Sequence, residues 1–291
     1  MKLKESELIL NKNGSIYHLQ LFPEQVAPTV LTVGDPDRVR MVSRYFDRID
    51  HKVRHREFVT HTGWLGKTHL TVISTGIGTD NIDIVLNELD ALVNLDLESR
   101  STLTRLTSLN IIRLGTSGGI QPELGVDSLL MSNAAFGMDG LLRYYHAPGL
   151  IDNEWVGALT AHAGDIRTLP ALPYYAPADP GLVKIFSERF QPGLTVTSTG
   201  FYAPQGRQIR ATSAVPELLQ TLQAFAFKGK KITNLEMETS AIYGLSGILG
   251  HRAISLNAIL ANRATGTFSK HPERVVKRLI ETALEKLSER I

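Results

Sequence analysis

The stretch Asn110-Ile-Ile-Arg-Leu-Gly-Thr-Ser-Gly-Gly119 decides the fold class of this 291-residue chain. Its first half is an apolar, β-branched run typical of a buried strand, and its second half is rich in glycine and hydroxyl side chains. Ligands of open α/β sheets bind where strands end, so the change in composition predicts a central strand that runs into a ligand site.

Similar apolar runs predict further buried strands at Val30–Val33, Leu70–Ile73, Leu194–Thr197, Lys231–Leu235 and Ala253–Leu260. One-face apolar spacing predicts helices over residues 82–93 and 276–287, the first capped by Asp80 or Asn81. Strands alternating with helices predict a three-layer α/β/α fold. A hairpin of residues 60–65 and 68–73 makes the central sheet mixed. No repeat or low-complexity linker divides the chain, which favours a single domain over residues 1–291.

Three other segments carry structural predictions. Val126–Ser132 is predicted to be a strand that follows a turn. The polar segment Asn94–Ser108 is predicted to be a surface excursion, and the proline-rich tract Leu169–Pro180 to be a loop.

Composition limits the class of function. The 31 basic and 29 acidic side chains nearly cancel, and the net charge of +2 is too small to attract nucleic acid or an anionic membrane. The 0 cysteines exclude disulfides, thiolate nucleophiles and iron–sulfur clusters. No run approaches the ~18 apolar residues of a membrane helix, and the N-terminus lacks an apolar signal core. We expect a cytoplasmic protein that acts on small molecules, with neither nucleic acid nor membrane as partner.

Three familiar motifs match incompletely. Gly115–Gly119 reads G-x-S-x-G, but the turn and strand predicted after it replace the helix that a serine-hydrolase elbow requires. His61–Thr68 ends like a phosphate-binding P-loop, yet His61 stands where the first glycine belongs and the context is a hairpin. Gly76-Ile-Gly78 lacks the last glycine of a dinucleotide fingerprint and is more typical of a helix N-terminal turn.

Two arginines indicate an anion site. Arg113 stands in an otherwise apolar strand, so a carboxylate or a bound anion must neutralise it. Arg38 ends the turn Gly34-Asp-Pro-Asp-Arg38. Guanidinium groups match phosphate oxygens in geometry, so we expect a phosphate site built from Arg38, Arg113, Thr116 and glycine amides.

Two other clusters allow two interpretations each. Glu236 and Glu238 would point to one side of an extended segment and reach two sugar hydroxyls, or they would cap the helix predicted at Thr239–Leu249, and the two roles can coexist. Gln205 and Arg207, in an aromatic loop, could read the edge of a heterocycle or belong to an ordinary surface loop.

Taken together and in order, seven motifs over roughly residues 16–290 resemble the nucleoside phosphorylase-I family. They are Gly34-Asp-Pro-Asp-Arg38, His55-Arg-Glu-Phe58, Ser74-Thr-Gly-Ile-Gly78, Arg113–Gly119, Phe201-Tyr-x-x-Gln205-x-Arg207, Asn234-Leu-Glu-Met-Glu238 and Asn262-Arg263. Within the family they are most similar to the members that act on uridine. This implies cleavage of uridine by phosphate to uracil and ribose 1-phosphate. A purine nucleoside phosphorylase and a non-catalytic nucleoside-binding protein of the same fold are the alternatives.

The resemblance implies a role for each matching residue. Phosphate ligands are Gly34, Arg38, Arg113 and Thr116, with Arg56 donated to the neighbouring subunit's phosphate. Ribose ligands are Glu236, Met237 and Glu238, with His18 reaching the neighbour's ribose. Base-binding residues are Phe201, Gln205, Arg207 and Arg263. The catalytic set is Arg113, Glu238, Gln205 and Arg207.

The same resemblance implies a homo-oligomer built from dimers, with sites shared across the interface. Inorganic phosphate is a co-substrate and no cofactor is required, although bacterial members can hold potassium between subunits through a glutamate at the position of Glu57. Asn262 stands where purine-specific members carry an aspartate, which favours a pyrimidine. Retention of Arg38, Arg56 and Arg113 favours phosphorolysis over hydrolysis.

Overall fold

The structure is a computed structural model that describes residues 2–164, 169 and 171–289. The strands are β1 (Thr29–Val33), β2 (Arg48–His55), β3 (Phe58–Leu65), β4 (Thr68–Ser74), β5 (Leu95–Asp96), β6 (Ser101–Thr102), β7 (Asn110–Gly119), β8 (Leu129–Gly137), β9 (Tyr174–Pro177), β10 (Gln191–Thr197), β11 (Ala226–Phe227), β12 (Lys230–Lys231), β13 (Asn234–Glu236), β14 (Arg252–Asn262) and β15 (Thr267–Phe268). The α-helices are α1 (Pro36–Ser43), α2 (Thr79–Asn94), α3 (Pro148–Ile151), α4 (Glu154–Ala163), α5 (Pro180–Phe186), α6 (Leu218–Ala224), α7 (Thr239–Leu249) and α8 (Pro272–Ser288).

Within the described residues, eleven strands form one mixed sheet in the order β15-β14-β8-β10-β13-β7-β1-β4-β3-β2, with β9 on β8. The stretch that opened the sequence analysis is β7, which runs parallel to both β1 and β14. Because β14 pairs with β7 as well as with β8, the strands β14, β8, β10, β13 and β7 close into a ring. This five-strand ring is the part of the sheet from which much of the site is built.

Helices cover both faces of the sheet, which confirms the predicted three-layer α/β/α fold. On one face, the apolar sides of α1, α5 and α8 pack into a core with residues such as Leu31 and Leu256. On the other face, α2 and α7 pack into a second core with Val30 and Ile111. Neighbouring residues of one strand thus serve opposite cores, because successive side chains of a strand point to opposite faces.

Several local predictions are confirmed and others are wrong. The predicted hairpin is present, since β3 and β4 pair antiparallel, and the central sheet is mixed as predicted. The predicted cap of α2 is wrong: Gly78, at φ +100°, is the N-cap residue and no side chain caps the helix. The amide of Gly78 instead donates to the distant Glu238 Oε1 (2.8 Å), so a tertiary contact replaces the local cap.

Three chain segments differ from their predicted structure. The tract predicted as a loop at Leu169–Pro180 contains β9, which pairs with β8; Pro170 lies outside the described residues. Proline is tolerated in β9 because this strand, among those described, pairs with β8 alone and so forms an edge. The run Lys231–Leu235 is divided between β12, in a small hairpin, and β13, in the main sheet. The strand predicted at Val126–Ser132 begins later, at Leu129.

The excursion predicted at Asn94–Ser108 contains a small antiparallel hairpin of β5 and β6. No helix in the described part of the chain is both long enough and apolar enough to cross a membrane.

Candidate active site

A cavity of about 930 Å³ lies where β1, β7 and β13 end. The structure brings most of the predicted site residues to its wall. They are Gly34, Arg38, Glu57, Arg113, Thr116, Phe201, Gln205, Arg207, Glu236, Met237, Glu238 and Arg263. His18 and Arg56 do not line it. The cavity therefore collects the motifs predicted for phosphate, ribose and base.

Arg113 lies at the centre of a buried polar cluster. Its Nη2 donates to Glu238 Oε2 at 2.6 Å and lies 3.2 Å from Glu236 Oε2. Its Nη1 donates to Asn257 Oδ1 at 2.8 Å and to Ser255 Oγ at 3.3 Å. Burial lowers the pKa of Arg113, but the two carboxylates outweigh burial and the net pKa is raised. Of the two ways to neutralise Arg113, the structure contains the carboxylate pairing.

Gly115 lets this cluster form. The Arg113 guanidinium folds back over its own strand, and a Cβ at position 115 would stand 1.9 Å from Nη1. Only glycine leaves room for the guanidinium at this position. The glycine of the G-x-S-x-G pattern therefore has a packing role, which the sequence alone did not indicate.

The two glutamates have different partners. Glu236 Oε2 accepts from the backbone amides of Glu238 and Thr239, both at 2.9 Å, and its Oε1 accepts from Thr197 Oγ1 at 2.6 Å. Glu236 thus holds the N-terminus of α7, which confirms the capping interpretation for this residue, whereas the Glu238 side chain does not cap the helix. Glu238 pairs with Arg113 and Gly78. Burial raises the pKa of Glu238, with Arg113 opposing it and Glu236 adding to it.

Arg38 is a half-buried cation in the same cavity. It lies in the first turns of α1, and its Nη1 makes a long hydrogen bond to the Leu114 carbonyl at 3.4 Å. No carboxylate of the described residues forms an ion pair with it. Burial lowers the pKa of Arg38, Asp35 opposes this, and Arg113 lowers the pKa further. A bound anion would relieve the cost of both burial and repulsion.

The aromatic loop presents Gln205 and Arg207 already paired with each other. Arg207 Nη1 donates to Gln205 Oε1 at 2.6 Å, and its guanidinium carbon lies 3.8 Å from the centroid of the Phe201 ring. Arg263 supports the loop by donating to the Gln205 carbonyl at 2.9 Å. Burial, with repulsion from Arg263, lowers the pKa of Arg207 to about 10. The residues predicted to bind the base thus form one contact cluster at the cavity wall.

Asn262, at the position where purine-specific members carry an aspartate, does not face the cavity in this structure. Asn262 is 2% exposed, and its Nδ2 donates to the carbonyls of Gln121 (2.8 Å) and Leu124 (2.6 Å). Its Oδ1 accepts from the amides of Ala264 and Thr265. The side chain fixes the turn after β14 and does not line the cavity.

His18 and Arg56 lie together on another part of the surface. His18 Nδ1 is 2.6 Å from Glu88 Oε1, beside a smaller cavity of about 280 Å³. Arg56 has a positive φ of 53° and holds its guanidinium 5.8 Å from the Tyr17 ring centroid. One chain does not bring them to its own cavity, so their action in a neighbouring subunit stays a prediction.

Glu57 lines the cavity edge, and its Oε1 accepts a long hydrogen bond from Asn81 Nδ2 at 3.4 Å. The part of the chain that the structure describes contains no group of three His, Asp or Glu side chains suited to a metal ion. In a single chain this carboxylate therefore faces an amide donor, which does not fit a cation. A cation site at Glu57 stays a prediction that needs a second subunit.

Sequence reasoning missed the two residues that accept hydrogen bonds from Arg113 Nη1. Asn257 and Ser255 lie in β14, which was predicted only as an apolar strand. A signal was present, because Asn257 interrupts the apolar run just as Arg113 interrupts its own strand. Polar residues at such positions need hydrogen-bond partners.

Comparison with known proteins agrees with the motifs. A family model described as the phosphorylase superfamily matches residues 28–290. A uridine phosphorylase of Thermococcus kodakarensis is 29% identical over 99% of this chain and 92% of its own length. One from Haemophilus influenzae is 26% identical over 94% of this chain and 100% of its own length. The crystal structure of a Trypanosoma brucei nucleoside phosphorylase that shows uridine phosphorylase activity has a TM-score of 0.87, with 30% identity over 97% of this chain and 99% of that one. The resemblance is confirmed, and the chain belongs to the phosphorylase superfamily.

Proposed function

We propose that this chain is a uridine phosphorylase that converts uridine and inorganic phosphate to uracil and ribose 1-phosphate. The observation that carries the phosphate requirement is Arg38, a half-buried cation without a carboxylate partner among the described residues, in one cavity with the Arg113–Glu238 pair. The names of the relatives supply the nucleoside. Motifs, cavity and relatives support the same reaction.

In this reaction a phosphate oxygen bonds to C1′ while the bond from C1′ to N1 of uracil breaks. The bonding pair leaves with the base, which takes a proton from solvent. The sugar passes through an oxocarbenium-like state that the adjacent phosphate anion stabilises, so no enzyme nucleophile is needed. The protein therefore has to position three groups: the phosphate, the ribose and the base.

For phosphate, we assign Arg38 and Arg113 as the cationic ligands and Gly34 and Thr116 as neutral donors. Arg113 also connects the phosphate to the ribose, since the same guanidinium donates to Glu238. Glu238 then accepts from a ribose hydroxyl, with Met237 packed beside the sugar and Glu236 fixing the backbone of this segment. The paired charges are set before the substrates enter, which limits reorganisation during the reaction.

For the base, we assign Gln205 and Arg207. Uracil presents two carbonyl acceptors and one N–H donor, which the Gln205 amide and Arg207 guanidinium can match. Their mutual hydrogen bond keeps both groups at the wall until uracil replaces it. Arg207 then faces the oxygen on which negative charge develops, and Phe201 packs on the nucleoside. Arg263 acts through the main chain of this loop.

We further propose a cytoplasmic homo-oligomer built from dimers. The positions of His18 and Arg56, away from the cavity of their own chain, support a site completed by a neighbour. Phosphate is a co-substrate and no cofactor takes part. Potassium between subunits at Glu57 stays a prediction of the resemblance. Small molecules are the partners, and neither nucleic acid nor membrane has a role.

Assay of purified protein with uridine and with inosine, both in phosphate, tests the proposal. We expect uracil and ribose 1-phosphate in equal amounts from uridine, and slower cleavage of inosine. Faster cleavage of inosine would replace the proposal with a purine nucleoside phosphorylase. Nucleoside binding without turnover would establish a non-catalytic binding protein.

A further inference from the structure

A continuous chain of buried hydrogen bonds runs through the five-strand ring, and both of its ends are cavity residues. It begins at Arg113, whose Nη1 donates to Asn257 Oδ1 at 2.8 Å. Asn257 Nδ2 donates to Ser132 Oγ at 3.2 Å. Ser132 Oγ and Thr195 Oγ1 share a hydrogen bond of 2.6 Å. These first four residues of the hydrogen-bonded path lie on four of the five ring strands, β7, β14, β8 and β10.

The fifth strand closes the path. Thr195 Oγ1 donates to Asn234 Oδ1 at 3.0 Å, and Asn234 Nδ2 donates to Ser117 Oγ at 2.6 Å. Ser117 lies on β7, two residues beyond Gly115, so the hydrogen-bonded path ends on the strand where it began. We call this set, Arg113, Asn257, Ser132, Thr195, Asn234 and Ser117, the polar belt.

The inside of the polar belt is fully enclosed. Asn257, Ser132, Thr195 and Asn234 are each 0% exposed. Burying polar side chains costs free energy that apolar residues of similar size would avoid, and a satisfied network only offsets that cost. In this ring, the satisfied network ends on the Arg113 guanidinium through Asn257.

The amide of Asn257 can serve Arg113 in one orientation only. Its Nδ2 donates to Ser132 Oγ and lies 3.2 Å from Ser255 Oγ, so its Oδ1 faces the guanidinium. A flipped amide would set N–H groups against Arg113, since Arg has donors and no acceptor. The belt thus fixes the acceptor that Arg113 needs.

Arg113 is consequently held at both ends. Glu238 and Glu236 attract Nη2 on the cavity side, and Asn257 holds Nη1 on the ring side. Without Asn257, the longer 3.3 Å contact from Nη1 to Ser255 Oγ would remain on the ring side, and the two carboxylates would draw the guanidinium toward themselves. That movement would withdraw it from a phosphate in the cavity.

We propose that Asn257 is a positioning residue that orients Arg113 for phosphate through the polar belt. The proposal rests on the proposed phosphorolysis and adds a residue that touches neither substrate. It makes phosphate affinity, more than nucleoside affinity, depend on a buried amide in β14.

Asn257→Leu tests the proposal by removing the acceptor. We expect the KM for phosphate to rise about tenfold, the effect of one charge-assisted hydrogen bond, with the KM for uridine within about twofold of wild type. Asn257→Asp keeps the oxygen but adds a negative charge. Its KM for phosphate, relative to wild type, should fall as the pH is lowered and the new carboxylate takes a proton.

Thr71→Val is the matched control. Thr71 is 0% exposed, hydrogen-bonds Thr62 Oγ1 at 2.8 Å, and lies in β4 outside the ring. This variant should lose stability and keep the wild-type KM for phosphate. An unchanged KM for phosphate in both Asn257 variants, or equal rises for phosphate and uridine, would overturn the proposal.

Phosphate binding separates this proposal from the proposed function. We expect inorganic phosphate to raise the Tm of wild type and of Thr71→Val, and to raise that of Asn257→Leu much less. If wild type shows this rise but does not cleave uridine, the proposed function fails and the positioning role stands. If phosphate protects Asn257→Leu as well as wild type, the positioning role fails whatever the turnover.

Discussion

A single methyl group at position 115 is expected to disable Arg113. In Gly115→Ala, the new Cβ would lie 1.9 Å from Nη1, 2.3 Å from Cζ and 2.7 Å from Nη2 of Arg113. These distances are far below van der Waals contact, so we expect the guanidinium to move out of its present position. Backbone strain does not contribute, because Gly115 is absent from the positive-φ glycines of the described chain.

The size of the effect follows from what the guanidinium leaves behind. Its departure breaks the 2.6 Å contact to Glu238 and the 2.8 Å contact to Asn257, and leaves two buried carboxylates without their cation. Removing one partner of a buried ion pair costs about 3–5 kcal/mol. The lower chain entropy of alanine offsets roughly 0.4–1 kcal/mol of this. We expect a net loss of about 3 kcal/mol, and at least a ~100-fold loss of kcat/KM for phosphate from misplacement.

Urea unfolding and steady-state kinetics measure the two effects. Gly247→Ala is the matched control, because Gly247 is an exposed residue of α7 whose added Cβ meets nothing within 4 Å. It should gain roughly 0.5–1 kcal/mol with unchanged kinetics. Wild-type stability and wild-type kcat/KM in Gly115→Ala would refute the claim that Arg113 must lie over position 115.

Three further predictions concern other parts of the chain. Asn262→Asp sets a carboxylate against two main-chain carbonyls, so the free energy of unfolding should fall by about 3 kcal/mol. Inosine cleavage should not increase, and a gain in inosine turnover would place this residue at the base site. Burial raises the pKa of Asp139 above its ordinary 3.8. The contribution of the protonated Asp139 carboxyl to the free energy of unfolding is therefore complete below that value and is lost as the pH rises through the raised pKa. Wild type should lose stability relative to Asp139→Asn as the pH is raised above 3.8, and parallel profiles would contradict this. Mixing inactive Arg56→Ala and Arg113→Ala proteins under subunit exchange should restore part of the activity, and no restoration despite proven exchange would place Arg56 outside the shared site.

The outline of the fold could be predicted because its signals are local. Apolar strand runs, one-face helix spacing and the hairpin turn each lie within a few neighbouring residues. Closure of the ring could not be predicted, because it depends on β14 pairing with both β7 and β8. Such pairing is a tertiary choice that no window of sequence records.

The site likewise has features that local sequence predicts and features that depend on the tertiary structure. That Arg113 needs a partner could be predicted from its apolar strand, but Glu238 lies 125 residues away and its geometry depends on the whole sheet. Asn262 shows how adjacency in sequence misleads. Arg263 and Ala261 line the cavity while Asn262 between them is buried beneath the turn, because successive side chains alternate direction at the end of a strand.

The central claim is that phosphate breaks the glycosidic bond in this cavity. The most direct measurement is uracil release from uridine as phosphate is varied from none to saturation, with ribose 1-phosphate quantified alongside. We predict negligible release without phosphate, a saturable rise with it, and one ribose 1-phosphate for each uracil. Equal release of uracil with and without phosphate, accompanied by free ribose, would contradict the account and identify a hydrolase.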